Sequence, residues 1–128
     1  KERHLSGRIP AWNISEGSAR LVATLLALFV PKPPSLVAIE APDTALHPGL
    51  MEYLANILKI GSQETQIIIT THSPFLLNYL PPESLLIVTK EQGETKIGQI
   101  EKDDALKEAL KVLGLGEMWY AGHFGGTP

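Results

Sequence analysis

Two short apolar runs, each closed by polar residues, constrain this chain more than any other feature. Leu36-Val37-Ala38-Ile39 ends on Glu40, and Ile67-Ile68-Ile69 ends on Thr70-Thr71-His72. Continuous apolar runs of this length are the pattern of buried strands in a parallel sheet. Between them, Pro48 can open a helix that reaches about Ile60, with Gly61 as its stop. Upstream, Ser15 can cap a helix running to about Val30, which Pro31 to Pro34 end. Its apolar positions Leu21, Val22, Leu25, Leu26 and Phe29 recur at helical spacing. Downstream, Pro74 to Leu80 reads as a short helix. Leu85 to Thr89 and Thr95 to Ile100 read as strands able to pair as a hairpin about Gly93. Asp103 or Asp104 can cap a helix through about Leu113, and the glycine-rich tail from Gly114 reads as irregular. Strand, helix, strand, helix, strand is the α/β order.

Size and composition narrow the class. The 128 residues suit one domain or one lobe of a larger one. Apolar content of 44% and charged content of 20% are globular values. A net charge of -3 gives no general attraction to nucleic acid or an acidic membrane, though it leaves DNA binding open to regions outside the chain. With no cysteine, disulfides and thiolate metal sites are excluded, which fits a cytoplasmic, reducing setting. The longest apolar run, Leu21 to Pro31, is too short to span a membrane. The chain opens at Lys1 in polar sequence without a methionine, so residues 1–12 read as a fragment start or linker.

Three segments suit phosphate chemistry. An acid at the C-terminal end of a parallel strand lies where α/β folds bind ligands, and Glu40 is such an acid. In nucleotide hydrolases a carboxylate there holds Mg²⁺, usually through water. His72, at the second strand end, can hydrogen-bond a γ-phosphate or the attacking water. Ser15, Gly17 and Ser18 open a helix, where backbone N–H groups, hydroxyls and the helix dipole favour an anion. Each segment has a plain alternative: a strand ending in a solvated Glu, a surface His before a helix capped by Ser73, and an ordinary N-cap.

Order and spacing link the three. A capped helix, then an acid-ended strand, then a strand ending Thr-His-Ser-Pro resembles the C-terminal half of ABC-class P-loop ATPases. The closest likeness is to the branch with RecF, SMC and the OLD-type predicted ATPases, whose acidic Walker B strand continues into Pro-acid-x-x-Leu-His-Pro. Here that stretch reads Glu40-Ala41-Pro42-Asp43-Thr44-Ala45-Leu46-His47-Pro48. The ending Gly114-Leu115-Gly116-Glu117-Met118-Trp119-Tyr120, with Gly125-Gly126, also resembles C-termini of that branch. The resemblance implies an α/β head with a mostly parallel sheet flanked by helices, residues 13–128 forming its C-terminal lobe. It implies ATP and Mg²⁺ as cofactors and a homodimer closed around nucleotide. Glu40 would be the Walker B acid and His72 the switch histidine. Ser15, Gly17 and Ser18 would belong to the signature motif, which faces nucleotide held on the opposite subunit. Asp43 to His47 would lie in the D-loop, although His47 is equally suited to opening the helix at Pro48.

Two departures matter. No Gly-x-x-x-x-Gly-Lys-[Ser/Thr] loop is present, so the phosphate-binding lobe is expected upstream in a parent chain or on another chain, and the P-loop strand is missing from the sheet. Position 41 is alanine where the family usually has the Glu that activates water. Ala41 cannot accept a proton, so hydrolysis is expected to be impaired. Ala41 is then either an engineered substitution or a natural loss, and the intact motif around it favours the first. Glu16 also replaces a commonly small residue in the signature.

Two other readings compete. One is a non-catalytic dimerisation module of the same fold in a DNA-processing or defence complex, reaching DNA or a nuclease partner through absent regions. The other is a metal hydrolase using Glu40, Asp43, His47 and His72, which lacks any His-x-x-x-His spacing. Among the remaining residues, Trp119 and Tyr120 read as packing anchors for the tail, and Trp12 as core in preference to a stacking residue near the signature helix. Arg20 reads as the i+4 partner of Glu16.

Overall fold

A computed structural model of the chain describes residues 10–100, 104–110 and 112–124. After a 3₁₀ turn at Ala11–Asn13, the chain forms α1 (Glu16–Leu28), β1 (Leu36–Glu40), α2 (Met51–Gly61, preceded by a 3₁₀ turn at Pro48–Leu50) and β2 (Gln66–Thr70). It continues through α3 (Pro74–Leu77), β3 (Leu86–Glu91), β4 (Glu94–Gln99), α4 (Asp104–Ala109) and α5 (Leu115–Tyr120). Strands β1 and β2 pair in parallel from Leu36↔Gln66 to Glu40↔Thr70. Helix α2 makes the crossover between them, as parallel pairing requires. Strands β3 and β4 form a separate antiparallel hairpin. Its two-residue loop, Gln92 and Gly93, has positive φ at both positions, the geometry that suits the twist of a tight hairpin.

The core lies on one side of the parallel pair. Met51, Leu54, Ala55 and Leu58 fall on one face of α2 at i, i+3, i+4 and i+7, and all are buried. They cluster with Leu28 of α1 and Leu76 of α3, against Val37, Ile39, Ile67 and Ile69 of the strands. Leu54 and Leu76 are fully buried, each contributing about 1.5–3 kcal/mol of apolar transfer free energy. Thr65 and Pro34 join the two strand entrances: the Thr65 hydroxyl donates to the Pro34 carbonyl, and Gln66 N–H to Ser35 O at 3.0 Å.

Several sequence expectations need correction. Both parallel strands alternate exposed and half-buried residues, so they are covered on one face rather than buried on two. Leu36 and Ile68 stand on the open face. Gly61 is the last residue of α2 rather than a stop beyond it. Its missing side chain lets α1 approach, since a Cβ would meet Leu28 at 3.0 Å. Helix α4 ends at Ala109, short of Leu113. The tail is not irregular, because Leu115 to Tyr120 form α5. Asp103 and Gly125-Gly126 lie outside the described residues. Trp12 is 84% exposed and Tyr120 70% exposed, so neither is core. No described helix is long and apolar enough to cross a membrane.

Candidate functional site

Because β1 and β2 run parallel and in register, both chains leave the sheet at the same end. Glu40 and Thr70 are register partners there. The next residue, Ala41, donates its backbone N–H to the Thr70 carbonyl at 3.0 Å and to the Thr70 hydroxyl at 3.2 Å. This doubled contact fixes where the chain turns after Glu40. Ala41 itself has φ +43°, a left-handed conformation uncommon for a residue with a side chain. On the neighbouring strand, the Thr71 hydroxyl accepts from Ser73 N–H at 3.0 Å, and Ser73 caps α3 by accepting from Leu76 N–H at 3.3 Å. His72 is thus held between two side-chain-to-backbone turns, with its imidazole exposed. The structure brings Glu40, Ala41 and His72 to one strand end, as the sequence anticipates.

The helix entry is joined to the loop that follows Glu40. Ser15 caps α1, accepting from Ser18 N–H at 3.2 Å, and its hydroxyl also donates to the Ser18 hydroxyl at 2.7 Å. Gly17 is buried against the loop: a Cβ there would lie 2.2 Å from the Ala45 carbonyl oxygen. The requirement for glycine at this position is therefore met inside the chain. Arg20 pairs with Glu16 at 3.0 Å across one helical turn, as expected.

Within the loop, Pro42 is fully buried and Ala45 also has positive φ. The backbone closes on itself through Thr44 N–H to Ala41 O and Leu46 N–H to Asp43 O, both at 3.1 Å. One carboxylate oxygen of Asp43 is buried without a hydrogen-bond partner. His47 opens the turn at Pro48, its Nδ1 accepting from Gly49 N–H at 3.0 Å. The structure thereby bears out the helix-entry alternative for His47. Among the described residues, no three His, Cys, Asp or Glu side chains gather as a metal-binding group.

Sequence reasoning missed one support of this end. Helix α5 docks on α3 through Asn78, whose Oδ1 accepts from Gly116 N–H at 2.7 Å and whose Nδ2 donates to Glu117 Oε1 at 3.2 Å. A Cβ on Gly116 would lie 1.9 Å from the Pro74 carbonyl. The dock carries Trp119 to His72, with ring centroids 6.2 Å apart and planes at 45°. The Gly114-x-Gly116 spacing was the available signal, since paired glycines often mark close backbone approach.

Comparisons with known proteins bear on the family and the fold. Residues 2–78 match the family described as "AAA domain, putative AbiEii toxin, Type IV TA system". Over 67 residues the chain is 37% identical to ABC transporter A family member 12 of Arabidopsis thaliana, a match covering 52% of this chain and 7% of that relative. A solved chain from "Structural biochemistry of ATP-driven dimerization and DNA stimulated activation of SMC ATPases" superimposes with a TM-score of 0.57 at 21% identity. It covers 77% of this chain and 62% of its own length. The chain thus spans less than two-thirds of both proteins. The family match takes in α1, both parallel strands and α3, and on that ground the chain belongs to this AAA-domain family of ABC-type ATPases, with a fold similar to part of that solved SMC ATPase.

Proposed function

We propose that this chain is the signature-bearing lobe of an ABC-type ATPase head, which pairs with a phosphate-binding lobe and closes a dimer around ATP. The observation that carries this reading is the in-register parallel pairing of β1 and β2, which sends Glu40, Ala41 and His72 out of the same sheet end. In this reading Glu40 is the Mg²⁺-associated acid, and His72 donates to a γ-phosphate oxygen or hydrogen-bonds the attacking water. Ser15, Gly17 and Ser18 approach nucleotide held by the opposite subunit. Asp43 and His47 lie in the loop that meets that subunit.

The residues fit the implied ion. Glu40 is an exposed carboxylate at the strand end, and a single acid of this kind suits Mg²⁺, which keeps its waters and takes most other ligands from phosphate. When bound, Mg²⁺ neutralises charge on the phosphate oxygens. The phosphate-binding loop comes from a lobe outside this sequence, in the parent chain or in trans. Coupling to DNA or to a nuclease would also run through regions outside it, because a net charge of -3 offers little general attraction to DNA.

Ala41 supplies no base, so the head completed by its phosphate-binding lobe is expected to bind and sense ATP better than it hydrolyses it. The test is ATP turnover by the full-length protein, with its phosphate-binding lobe, before and after Ala41→Glu. A general base contributes about 10²–10⁴-fold, and a gain of that order is expected. Light scattering should show an ATP-dependent dimer in both forms. Absence of ATP-dependent dimerisation in both would overturn the reading.

Ala41 also favours a second reading, a non-catalytic module gated by ATP. Persistent dimerisation with no turnover after Ala41→Glu would select it.

A further inference from the structure

We propose that Trp119 is a positioning residue for His72, so that the C-terminal helix sets the orientation of the imidazole that reads the nucleotide. The proposal rests on the role given to His72 above and adds a residue that none of the three phosphate-facing segments contains.

The argument begins with α3, which starts two residues after His72. Helix α5 is fastened to both ends of this single turn. At its start, the Gly116 backbone lies so close to Pro74 that no side chain fits between them. At its end, Asn78 binds Gly116 N–H and Glu117 at once. Leu115, Gly116 and Met118 are buried in the dock. Helix α5 therefore has little freedom to slide or rotate against the segment carrying His72.

Trp119 follows Met118 and meets His72 at 6.2 Å between ring centroids with a 45° tilt. That separation is within the range of favourable aromatic pairs. The imidazole is otherwise exposed, and the turns around it bind the backbone of Ser73 and Leu76 rather than the ring. An exposed histidine samples several rotamers. An indole face on one side removes those that swing toward α5 and favours those facing the strand end. In this proposal the indole acts through His72 rather than on the nucleotide itself.

The test uses the full-length protein and compares ATP with ADP affinity by calorimetry. An aromatic pair contributes about 0.5–1.5 kcal/mol, equivalent to roughly 2- to 12-fold. Trp119→Leu should lower the preference for ATP over ADP by about that factor, leaving ADP affinity unchanged. Trp119→Phe, which keeps an aromatic face, should retain most of the preference. In the double variant with His72→Ala, Trp119→Leu should add no further loss, because both act through one side chain. Full additivity, or an unchanged preference in Trp119→Leu while His72→Ala loses it, would overturn the proposal.

The two layers separate. If His72→Ala leaves the ATP preference intact, the nucleotide role of His72 fails, and the imidazole proton resonances then decide the positioning claim. Those resonances should move in Trp119→Leu as the indole ring current is lost, and unmoved resonances would refute the positioning. Should Trp119→Leu fail to fold, Asn78→Ala, which loosens the dock and keeps the indole, should lower the ATP preference in the same direction. No change there would count against the proposal.

Discussion

Gly17 and Ala41 show how single backbone positions set the geometry of the strand end. At Gly17 the absent side chain admits the Ala45 carbonyl, which a Cβ would meet at 2.2 Å. Gly17→Ala must push the loop after Glu40 away from α1, and overpacking of this kind costs about 1–3 kcal/mol. Chemical denaturation should show that loss. It should exceed the loss from Gly98→Ala, a position where a Cβ meets nothing within 4 Å. At Ala41 the argument runs the other way. Its φ of +43° is left-handed, and a residue with a side chain costs about 1 kcal/mol there relative to glycine. Ala41→Gly is expected to raise the denaturation midpoint. A lowered midpoint would mean that the turn after Glu40 is relaxed rather than strained.

At the scale of elements, two helix starts carry separable loads. Helix α1 starts on Ser15, whose side chain satisfies Ser18 N–H. Ser15→Ala removes that cap and should cost about 1 kcal/mol, readable as a lower thermal midpoint. Helix α5 starts on Gly114, which gives no side-chain cap; Asn78 of the neighbouring segment supplies one from outside. Asn78→Ala leaves Gly116 N–H without its partner at a part-buried site and should destabilise by about 1–3 kcal/mol. The loss should be local. Amide exchange is expected to quicken across α5 and stay unchanged in β1 and β2, whereas uniform loss of protection would show that α5 unfolds only with the whole molecule.

For the whole molecule, the open surfaces are the feature to explain. Leu36 and Ile68 leave the back of the parallel pair about half exposed, and Val22, Leu26 and Phe29 form an outer stripe on α1 at i, i+4 and i+7. Unpaired strand edges and apolar faces of this kind promote association. We propose that the phosphate-binding lobe packs on this open face of the sheet. Leu36→Lys with Ile68→Lys should therefore change the stability of this chain little, because both side chains already meet solvent. The same pair should weaken its binding to that lobe about tenfold or more in a pull-down titration, since burying an apolar side chain contributes about 1.5–3 kcal/mol and 1.4 kcal/mol is a factor of about ten. Unchanged binding would place the lobe elsewhere.

Much of this architecture could be read from residue order. Short apolar runs ending in Glu40 and His72 predict parallel strands because each run lacks the alternation of a half-solvated strand. Ser15, Ser73 and Gly93 mark two helix entries and a hairpin because caps and tight turns depend on local hydrogen bonds and φ alone. The same locality explains the Arg20–Glu16 pair. Three features depended on distant partners and could not be read this way. Exposure of one sheet face follows from what packs on it, which no run of apolar residues encodes. Trp12 reads as core and Tyr120 as a packing anchor, yet both are largely exposed. Helix α5 is stabilised by Asn78, 38 residues before Gly116, and its Gly-x-Gly start suggests a loop until that partner is in place. Residue order is enough for α1, α2, the parallel strands, the hairpin and the residues at the strand ends. The existence of α5, the faces that stay open, the packing of Gly17 on the loop after Glu40 and the approach of Trp119 to His72 come from the folded arrangement, because these rest on contacts between segments far apart in the chain.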